Sequence, residues 1–525
     1  MLIRATDDFR FEWPDPADAQ LVWMWDQMHM PRPMPPLASS IGARVMGRVM
    51  GGRAFVVNGY PYRSFGAPAG GAFGPPGMGA PPALGEVDPI AIWENDQLPK
   101  LKVVIERIRG RDYEAMTSAR LAGMLDELIA EAGDALALTF GRAMVFGMAT
   151  NMLIDFCEAE LGPGGAVRAT SMLQGFENES AASGAGLSRL TELAASLPSV
   201  AKAIADGRFD EVAGEPGGVE FTRKFDSYLE KYGWRAPSWG QVHLPTWAED
   251  PRIPLQLIGR YLTDPERAPA AALRRAVAQR EETILDTESR LPGDKIQRFR
   301  EILKAAQASV PVSEGRALWQ LIGSGVMRIP LLALGRKLVS EGHLAVAEDV
   351  FFFEDEELKD MANGHPMPNP AAVAAERRAD LARWETLIPP RFLGASTPPA
   401  MLAMMHRFFG LGVEQSGDAR IVNGIAASKG VVRAVARVVM DLAGADKLGQ
   451  GEVLVCPSTA PPWTPLFAIA GAVVTDSGGV LSHSAIAARE YAVPAVVGTV
   501  IGTQRIRDGA VVTVDGAQGI VRIEE

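Results

Sequence analysis

The spacing of apolar residues divides this sequence into a long helical part and a short C-terminal part in which strands and helices alternate. From about residue 88 to about residue 341, apolar positions recur three and four residues apart, the period of amphipathic helices. From about residue 421, short runs of Val, Ile and Ala alternate with glycine-containing turns, which is typical of buried strands. The predicted fold class is therefore multidomain, α plus α/β, with a large mainly helical domain followed by a small α/β domain.

Stretches without hydrophobic periodicity predict where the domains begin and end. We place the mainly helical domain at residues 1–388, a linker at 389–420 that is rich in Pro, Gly and Ser at both ends, and the α/β domain at 421–525. Gly, Pro and Ala dominate residues 66–85, a composition that predicts a loop without a core of its own. Residues 53–63 predict β-structure with an Asn-Gly turn.

The segment before this β-structure predicts a short helix. Asp15 is favourable at a helix start, and Leu21, Trp25 and Met28 share one face at helical spacing before Pro31 ends the run. Aromatic and Met residues at this spacing fit two roles, ordinary core or the wall of a substrate site. The same two roles are open for Met148 and Met152 of a later helical stretch.

Composition excludes several classes of protein. Apolar residues make up 47% of the chain, enough to bury substantial cores, and the net charge of −11 argues against binding nucleic acid or an anionic membrane. The two cysteines are too few for a disulfide framework, which fits a reducing compartment. No signal peptide or spanning apolar run is indicated, so we expect a cytoplasmic protein. The sequence contains no HExxH, CxxC or DxDxDG spacing, so we expect no protein-built metal site.

The chemistry is concentrated in residues 475–498, which read TDSGGVLSHSAIAAREYAVPAVVG between two apolar runs that predict strands. The glycine pair allows a tight turn, and Ser482 is a suitable N-cap for a helix that begins at His483 and stops before Pro494. A helix N-terminus attracts anions and disfavours a protonated imidazole, and a neutral imidazole can act as a nucleophile. An isolated histidine at such a corner more often merely caps or packs.

The surrounding string favours the nucleophile. It resembles the phosphohistidine domain of the phosphoenolpyruvate-utilising family, which includes phosphoenolpyruvate synthase, rifampin phosphotransferase and phenylphosphate synthase. The residues that carry the resemblance are Gly478, Gly479, Ser482, His483, Ser484, Ala485, Ile486, Ala488, Arg489 and Glu490. Residues 453–467 are similar to the rifampin phosphotransferase branch. The resemblance implies a swivelling domain in which His483 carries a phosphoryl group. The implied phosphate-binding residues are Gly478, Gly479, Ser482, Ser484 and Arg489.

The N-terminal segment also resembles the opening of the substrate domain in the rifampin phosphotransferase branch. On that resemblance, His29 is our first candidate for the base at the acceptor site and Asp26 is the second. The candidates for contact with the substrate are Trp25, Met28, Met148 and Met152. Arg235 lies in a Tyr-Gly-x-Arg segment similar to one of the family, and either a phosphoryl fork or a structural ion pair fits it.

The sequence contains no P-loop, no segment of ATP-grasp kind and no series of about 250 residues that would build a phosphoenolpyruvate-binding barrel. We therefore expect a two-component, dikinase-like phosphotransferase whose ATP and Mg²⁺ are bound by an ATP-grasp partner. The family resemblance implies that His483 attacks ATP, with AMP and phosphate released, and passes its phosphoryl group to an acceptor.

We expect this acceptor to be a phenol, as in phenylphosphate synthase. A phenolic hydroxyl, with a pKa of about 10, needs a base to lose its proton. Two alternatives stay open, a rifampin-type antibiotic phosphotransferase and a non-enzymatic phosphocarrier or regulatory protein.

Overall fold

A computed structural model describes residues 2–65, 88–397, 402 and 415–524, apart from residues 28, 51–52, 141–142, 163, 178, 239, 266–267, 366 and 481. The predicted loop at 66–85 and most of the predicted linker at 389–420 lie outside the described residues.

A five-stranded sheet forms the N-terminal part, with the order β1-β3-β4-β2-β5. Its strands are β1 (Leu2–Ile3), β2 (Val22–Trp25), β3 (Ala54–Val57), β4 (Tyr60–Phe65) and β5 (Phe392–Gly394). The predicted hairpin is confirmed, because β3 and β4 pair antiparallel around Asn58 and Gly59, whose φ angles are 49° and 75°. Strand β5 falls within the predicted linker and pairs with β2.

The prediction of a helix between Asp15 and Pro31 was wrong. A 3₁₀ turn occupies Pro16–Gln20, and Val22–Trp25 form strand β2 between β4 and β5. Trp23 and Trp25 alternate with Met24, so they bury their rings on one face of the sheet. Pairing with two neighbouring strands outweighs the weak local helical spacing.

The central part of the chain is helical. Its α-helices are α1 (Pro36–Met50), α2 (Pro89–Ile92), α3 (Leu98–Arg109), α4 (Ser118–Gly123), α5 (Leu125–Phe140), α6 (Ala143–Leu161), α7 (Gly165–Ser171), α8 (Glu179–Ala195), α9 (Pro198–Ala205), α10 (Gly218–Tyr232), α11 (Arg252–Thr263), α12 (Pro269–Arg290), α13 (Gly293–Ser340), α14 (Asp355–Ala362) and α15 (Pro370–Trp384). A π turn at Trp93–Gln97 and 3₁₀ turns at Phe209–Gly214 and Ala347–Phe352 join some of them. Helix α13, 48 residues long, packs against α3, α5, α6 and α8 and so ties the helical part together.

The C-terminal unit, residues 421–524, is an α/β structure built on an eight-stranded sheet with the order β6-β13-β12-β8-β9-β10-β11-β7. The strands are β6 (Ile421–Asn423), β7 (Ile425–Ser428), β8 (Val431–Val438), β9 (Val453–Cys456), β10 (Ala472–Thr475), β11 (Ala495–Val497), β12 (Val511–Asp515) and β13 (Ile520–Ile523). The helices are α16 (Thr464–Phe467), α17 (His483–Glu490) and α18 (Gly502–Arg505), with 3₁₀ turns at Leu442–Lys447 and Pro461–Trp463. Strands β8 to β11 run parallel, as alternation with helices requires. The predicted fold class is confirmed, as are the strands that flank His483.

The C-terminal unit packs on the helical part. Leu466, Phe467 and Tyr491 share a hydrophobic cluster with residues of α8 to α12. Polar contacts cross the same junction: the Trp463 indole donates to the Pro237 carbonyl at 3.2 Å, and the Tyr261 hydroxyl donates to the Pro465 carbonyl at 3.3 Å. Across the described ranges, no helix is both long and apolar enough to cross a membrane.

Candidate functional site

His483 is the first residue of helix α17, which follows the buried strand β10. Ser482 is its N-cap as predicted, with a side-chain oxygen that accepts from the Ala485 amide at 3.4 Å. The imidazole therefore lies where the first turn of the helix presents backbone N–H groups and a partial positive charge. That field favours an anionic group on His483.

Gly478 shapes the turn before this helix. Its φ is +116°, and a Cβ at this position would lie 2.7 Å from the Ser482 hydroxyl oxygen. The Ser482 amide in turn donates to the Gly479 carbonyl at 3.0 Å. A side chain at position 478 would displace the N-cap, so the glycine is required by both the backbone angle and the close approach.

Two threonines of the preceding segment brace the start of α17. The Thr464 hydroxyl lies 3.0 Å from Nε2 of His483, and the Thr459 hydroxyl donates to the Ser484 hydroxyl at 2.8 Å. Sequence reasoning did not single out either threonine. The signal that could have found them was the similarity of residues 453–467 to the rifampin phosphotransferase branch, since both lie within it.

Arg489 holds the loop in front of His483. Its guanidinium is buried and donates to the carbonyl oxygens of Ala427 and Val480, both at 2.9 Å. These bonds tie the loop to strand β7. In this arrangement Arg489 fixes the position of the histidine through the backbone.

Asp476 lies two positions before Gly478 and is buried. Its carboxylate accepts from the Thr503 amide at 2.9 Å and from the Thr499 hydroxyl at 3.2 Å. Burial raises the pKa of this carboxyl to about 6, although the hydrogen bonds from Thr503 and Thr499 oppose the rise. The base of the His483 loop therefore carries a group that titrates close to neutral pH.

A second polar cluster lies in the N-terminal sheet. Nδ1 of His29 is 2.8 Å from Oδ1 of Asp26, and Oδ2 of Asp26 is 2.9 Å from Nη2 of Arg63. All three side chains are buried, with residue exposures of 6%, 2% and 6%. Burial alone would raise the pKa of the Asp26 carboxyl, but the charge of Arg63 and the contact with His29 outweigh it, so this pKa lies well below its usual range.

His29 borders a cavity of about 70 Å³ whose other walls are almost entirely apolar. The lining residues include Met30, Ile41, Ile105 and Met327. Such a cavity is roomy enough for more than one water molecule, since one water needs only about 10–15 Å³ on this measure. A single imidazole on an apolar wall suits an acceptor that presents one hydroxyl and an otherwise apolar body.

One segment of chain connects this cavity with the C-terminal unit. Gly240 and Val242 line the cavity, and Pro237, three positions earlier, accepts the hydrogen bond from Trp463. Trp463 is adjacent in sequence to Thr464, whose hydroxyl contacts His483. Residues 237–242 therefore contact both the His29 cavity and the segment that contacts His483.

The other predicted site residues lie elsewhere. Trp25 points to the opposite face of the sheet, where its ring meets Tyr60 edge-on, and its indole donates to the Met30 carbonyl at 3.2 Å. Met148 is 37% exposed on α6, and Met152 of the same helix packs on a separate cluster with α7 and α13. Neither these residues nor Trp25 line the His29 cavity, and Met28 lies outside the described residues.

Arg235 is buried, and its guanidinium stacks 4.7 Å from the centre of the Tyr232 ring. It lies two positions before Pro237, beside the junction with the C-terminal unit. Within the described part of the chain, no group of three or more His, Cys, Asp or Glu side chains is arranged to hold a metal ion.

Comparison with protein families matches two parts of the chain. Residues 139–314 match the rifampicin phosphotransferase fourth domain, and residues 448–519 match the mobile domain of PEP-utilising enzymes. The second match contains the whole His483 loop and helix α17.

Individual relatives agree with these matches. A rifampicin phosphotransferase of Streptomyces sviceus is 30% identical over 395 residues, which cover 73% of this chain and 44% of that protein. A chondramide synthase of Chondromyces crocatus is 30% identical over an alignment of 555 positions, covering 98% of this chain and 14% of that protein. A phosphoenolpyruvate synthase of Aeropyrum pernix is 45% identical over 102 residues, 19% of this chain and 12% of that enzyme. The chain spans less than half the length of each of these relatives.

Proposed function

Because this chain carries the mobile domain of the PEP-utilising enzymes beside a segment of rifampicin phosphotransferase type, we propose that it is the acceptor-binding and phosphohistidine part of a phosphotransferase. The single observation that carries the proposal is the position of His483 at the N-terminus of α17, on a unit that packs against the part of the chain that holds His29. The C-terminal unit is the carrier, and the His29 cavity is the acceptor site.

The charging step takes place at a phosphoryl donor. An imidazole nitrogen of His483 attacks the β-phosphoryl group of ATP and AMP leaves, and hydrolysis of the resulting diphospho form releases phosphate and leaves phospho-His483. We propose that a separate ATP-grasp component binds ATP and its Mg²⁺. The amides at the start of α17 stabilise the phosphoryl group on His483.

The transfer step takes place at His29. The acceptor hydroxyl gives its proton to His29 while its oxygen attacks phosphorus, and the N–P bond to His483 breaks. The apolar walls of the cavity hold the remainder of the acceptor and exclude water that would otherwise hydrolyse phosphohistidine. Asp26 acts on the orientation of His29, because its carboxylate is already engaged by His29 and Arg63.

The acceptor is a hydroxyl group on an apolar compound, and two classes have support. The names of the relatives favour an antibiotic of the rifampicin kind over a simple phenol. The cavity of about 70 Å³ is the specific observation in favour of the second class, a small phenol, because clefts that bind drug-sized ligands have volumes of about 300–1,000 Å³.

A two-stage experiment tests the proposal. The purified chain is incubated with a candidate ATP-grasp component and ATP carrying a labelled β-phosphoryl group, and label on His483 is located by mass spectrometry under alkaline conditions. Rifampicin and a set of small phenols are then added, and each is examined for the mass of one phosphoryl group.

Label on His483 followed by phosphorylation of either acceptor class supports an enzyme. Label that reaches no small molecule and passes only to another protein would replace the enzyme with a phosphocarrier. Absence of label from His483 in every combination would overturn the proposal.

A further inference from the structure

We propose that Arg63 is a positioning residue of the acceptor site, which holds Asp26 and, through Asp26, fixes His29 for proton transfer. The inference rests on the proposed function for its catalytic meaning. Its geometry, a buried row of three side chains from β4 to the wall of the cavity, is independent of that function.

Strand register places the three residues together. Met24 of β2 is directly opposite Arg63 of β4, and the Asp26 amide continues the ladder by donating to the Pro61 carbonyl at 2.9 Å. Asp26 and Arg63 are thus diagonal neighbours on one face of the sheet, the face opposite to Trp23 and Trp25. His29 is held to the same point because the Met30 amide donates to the Asp26 carbonyl at 2.8 Å.

Burial of the Arg63–Asp26 pair contributes little to the stability of the fold. Nε and Nη1 of Arg63 are buried and have no hydrogen-bond acceptor among the described residues. A buried guanidinium that leaves N–H donors unsatisfied costs free energy, and apolar side chains of similar volume often replace a buried ion pair without loss of stability. A stability role therefore explains this arrangement poorly, and a role in setting the state of Asp26 explains it better.

The contacts assign a role to each group. An ionised carboxylate only accepts hydrogen bonds, so Nδ1 of His29 carries the proton that faces Asp26, and the lone pair for the acceptor is on Nε2. When Nε2 takes the proton of the acceptor hydroxyl, the imidazolium forms beside the Asp26 carboxylate. Arg63 keeps that carboxylate ionised and aimed at Nδ1, so that the proton on Nδ1 stays there.

The ion pair between Arg53 and Asp18 supplies a matched control. Arg53 precedes β3 in the same sheet, but its side chain is 55% exposed and its partner does not contact His29. Arg53→Met removes the ion pairs of Arg53 with Asp18 and Asp15 and leaves Arg63, Asp26 and His29 unchanged.

The test uses the full chain with histidine labelled by ¹⁵N, and compares Arg63→Met, Arg63→Lys and Arg53→Met with the unaltered protein. We expect ¹⁵N spectra of the unaltered chain to show His29 as the Nδ1–H tautomer. Arg63→Met should lose this signature and lower kcat for the acceptor step by about tenfold to a hundredfold, the effect of a misplaced catalytic group. KM for the acceptor and labelling of His483 should stay within about twofold, since neither depends on the base. Arg63→Lys should recover part of kcat, and Arg53→Met should change nothing.

Two results would overturn the inference. One is an unchanged tautomer and an unchanged kcat in Arg63→Met. The other is a parallel loss of kcat, His483 labelling and melting temperature in both Arg63 variants, which is the behaviour of a purely structural pair. If the unaltered chain phosphorylates no acceptor, the proposed function fails, whereas the ¹⁵N spectra still decide whether Arg63 sets the tautomer of His29.

Discussion

Nη1 of Arg32 lies 2.8 Å from Oδ2 of Asp441, so a residue three positions after His29 is ion-paired with the unit that carries His483. Nη2 of the same guanidinium lies 2.5 Å from Oε1 of Glu385, at the end of α15. Arg32 therefore links the segment that follows His29 with the end of α15 and with the C-terminal unit. It adds an ion pair to the apolar and hydrogen-bonded contacts between the C-terminal unit and the helical part.

Loss of this ion pair should weaken docking without affecting the chemistry at His483. Because Asp441 is about one-third exposed, solvent and salt screen the pair, and its contribution to docking is at most about 1 kcal/mol. Arg32→Met should slow transfer from phospho-His483 to the acceptor by about two- to fivefold and leave charging unchanged in single-turnover assays. Arg437→Met, which removes the Arg437–Glu452 pair inside the C-terminal unit, is the control. Equal effects of both variants on transfer would contradict a role in docking.

Replacement of His29 should separate the two half-reactions. His29→Asn removes the base, so we expect the transfer step to fall by about a hundredfold or more, while labelling of His483 by ATP stays normal. His365→Asn is the matched control, because His365 is exposed and distant in sequence from both polar clusters. Normal transfer by His29→Asn would place the base elsewhere in the cavity.

Replacement of His483 should reduce labelling far more than replacement of Thr464. His483→Ala should abolish labelling altogether, because no other group replaces the nucleophile. Thr464→Val removes the hydroxyl 3.0 Å from Nε2 of His483 and keeps the side-chain shape, so we expect a loss of about two- to tenfold in the labelling rate, the value of one hydrogen bond. Circular dichroism should show that both variants retain the fold. Labelling of the His483→Ala chain at the normal rate would exclude His483 as the carrier.

Because the pKa of Asp476 is raised, we expect the free energy of unfolding to depend on pH. The Asp476 carboxyl has a pKa of about 6 in the folded chain against an ordinary value of 3.8, so the folded state binds the proton more tightly than the unfolded state. Its contribution to stability is therefore greatest below about pH 4 and is lost as the pH rises through about 6, by up to about 3 kcal/mol.

Urea unfolding of the full chain between pH 4 and pH 8 measures this contribution as a difference from Asp476→Asn. The asparagine has no charge, so the difference in the free energy of unfolding should favour the unaltered chain at the acid end and shrink towards pH 7. A difference that does not vary with pH would show that Asp476 does not titrate in this window.

The carrier loop could be predicted from sequence because its determinants are local. The glycine pair, the N-cap and His483 lie within six residues of one another, and hydrogen bonds between near neighbours build the turn and the first turn of α17. The helix expected between Asp15 and Pro31 failed for the opposite reason. Strand β2 pairs with β4 and with β5, and β5 lies far along the chain. The spacing of residues within the segment itself carries no information about these pairings.

The His29 cluster, our proposed acceptor site, was only partly predictable for the same reason. His29 and Asp26 are three residues apart and could be proposed together, whereas Arg63 reaches them only through the pairing of β2 with β4. Trp25 is predicted to contact the substrate on the resemblance of the N-terminal segment to the family's substrate domain, together with helical spacing that places it on one face with Met28. A strand alternates its side chains, and this alternation turns Trp25 to the other face of the sheet.

The pairing of strand β5 with β2 affects the kinetic order expected for the transfer step. Phe392–Gly394 is hydrogen-bonded to β2, the strand that leads into Asp26, and the C-terminal unit begins at Ile421. The connecting chain, even fully extended at about 3.5 Å per residue, keeps His483 within a bounded distance of the acceptor site. Return of phospho-His483 to its own acceptor is then a first-order process, set by an effective concentration that dilution does not change. Under the proposed function, charging by a separate component is second order, so dilution should slow charging and shift the resting state towards unphosphorylated His483.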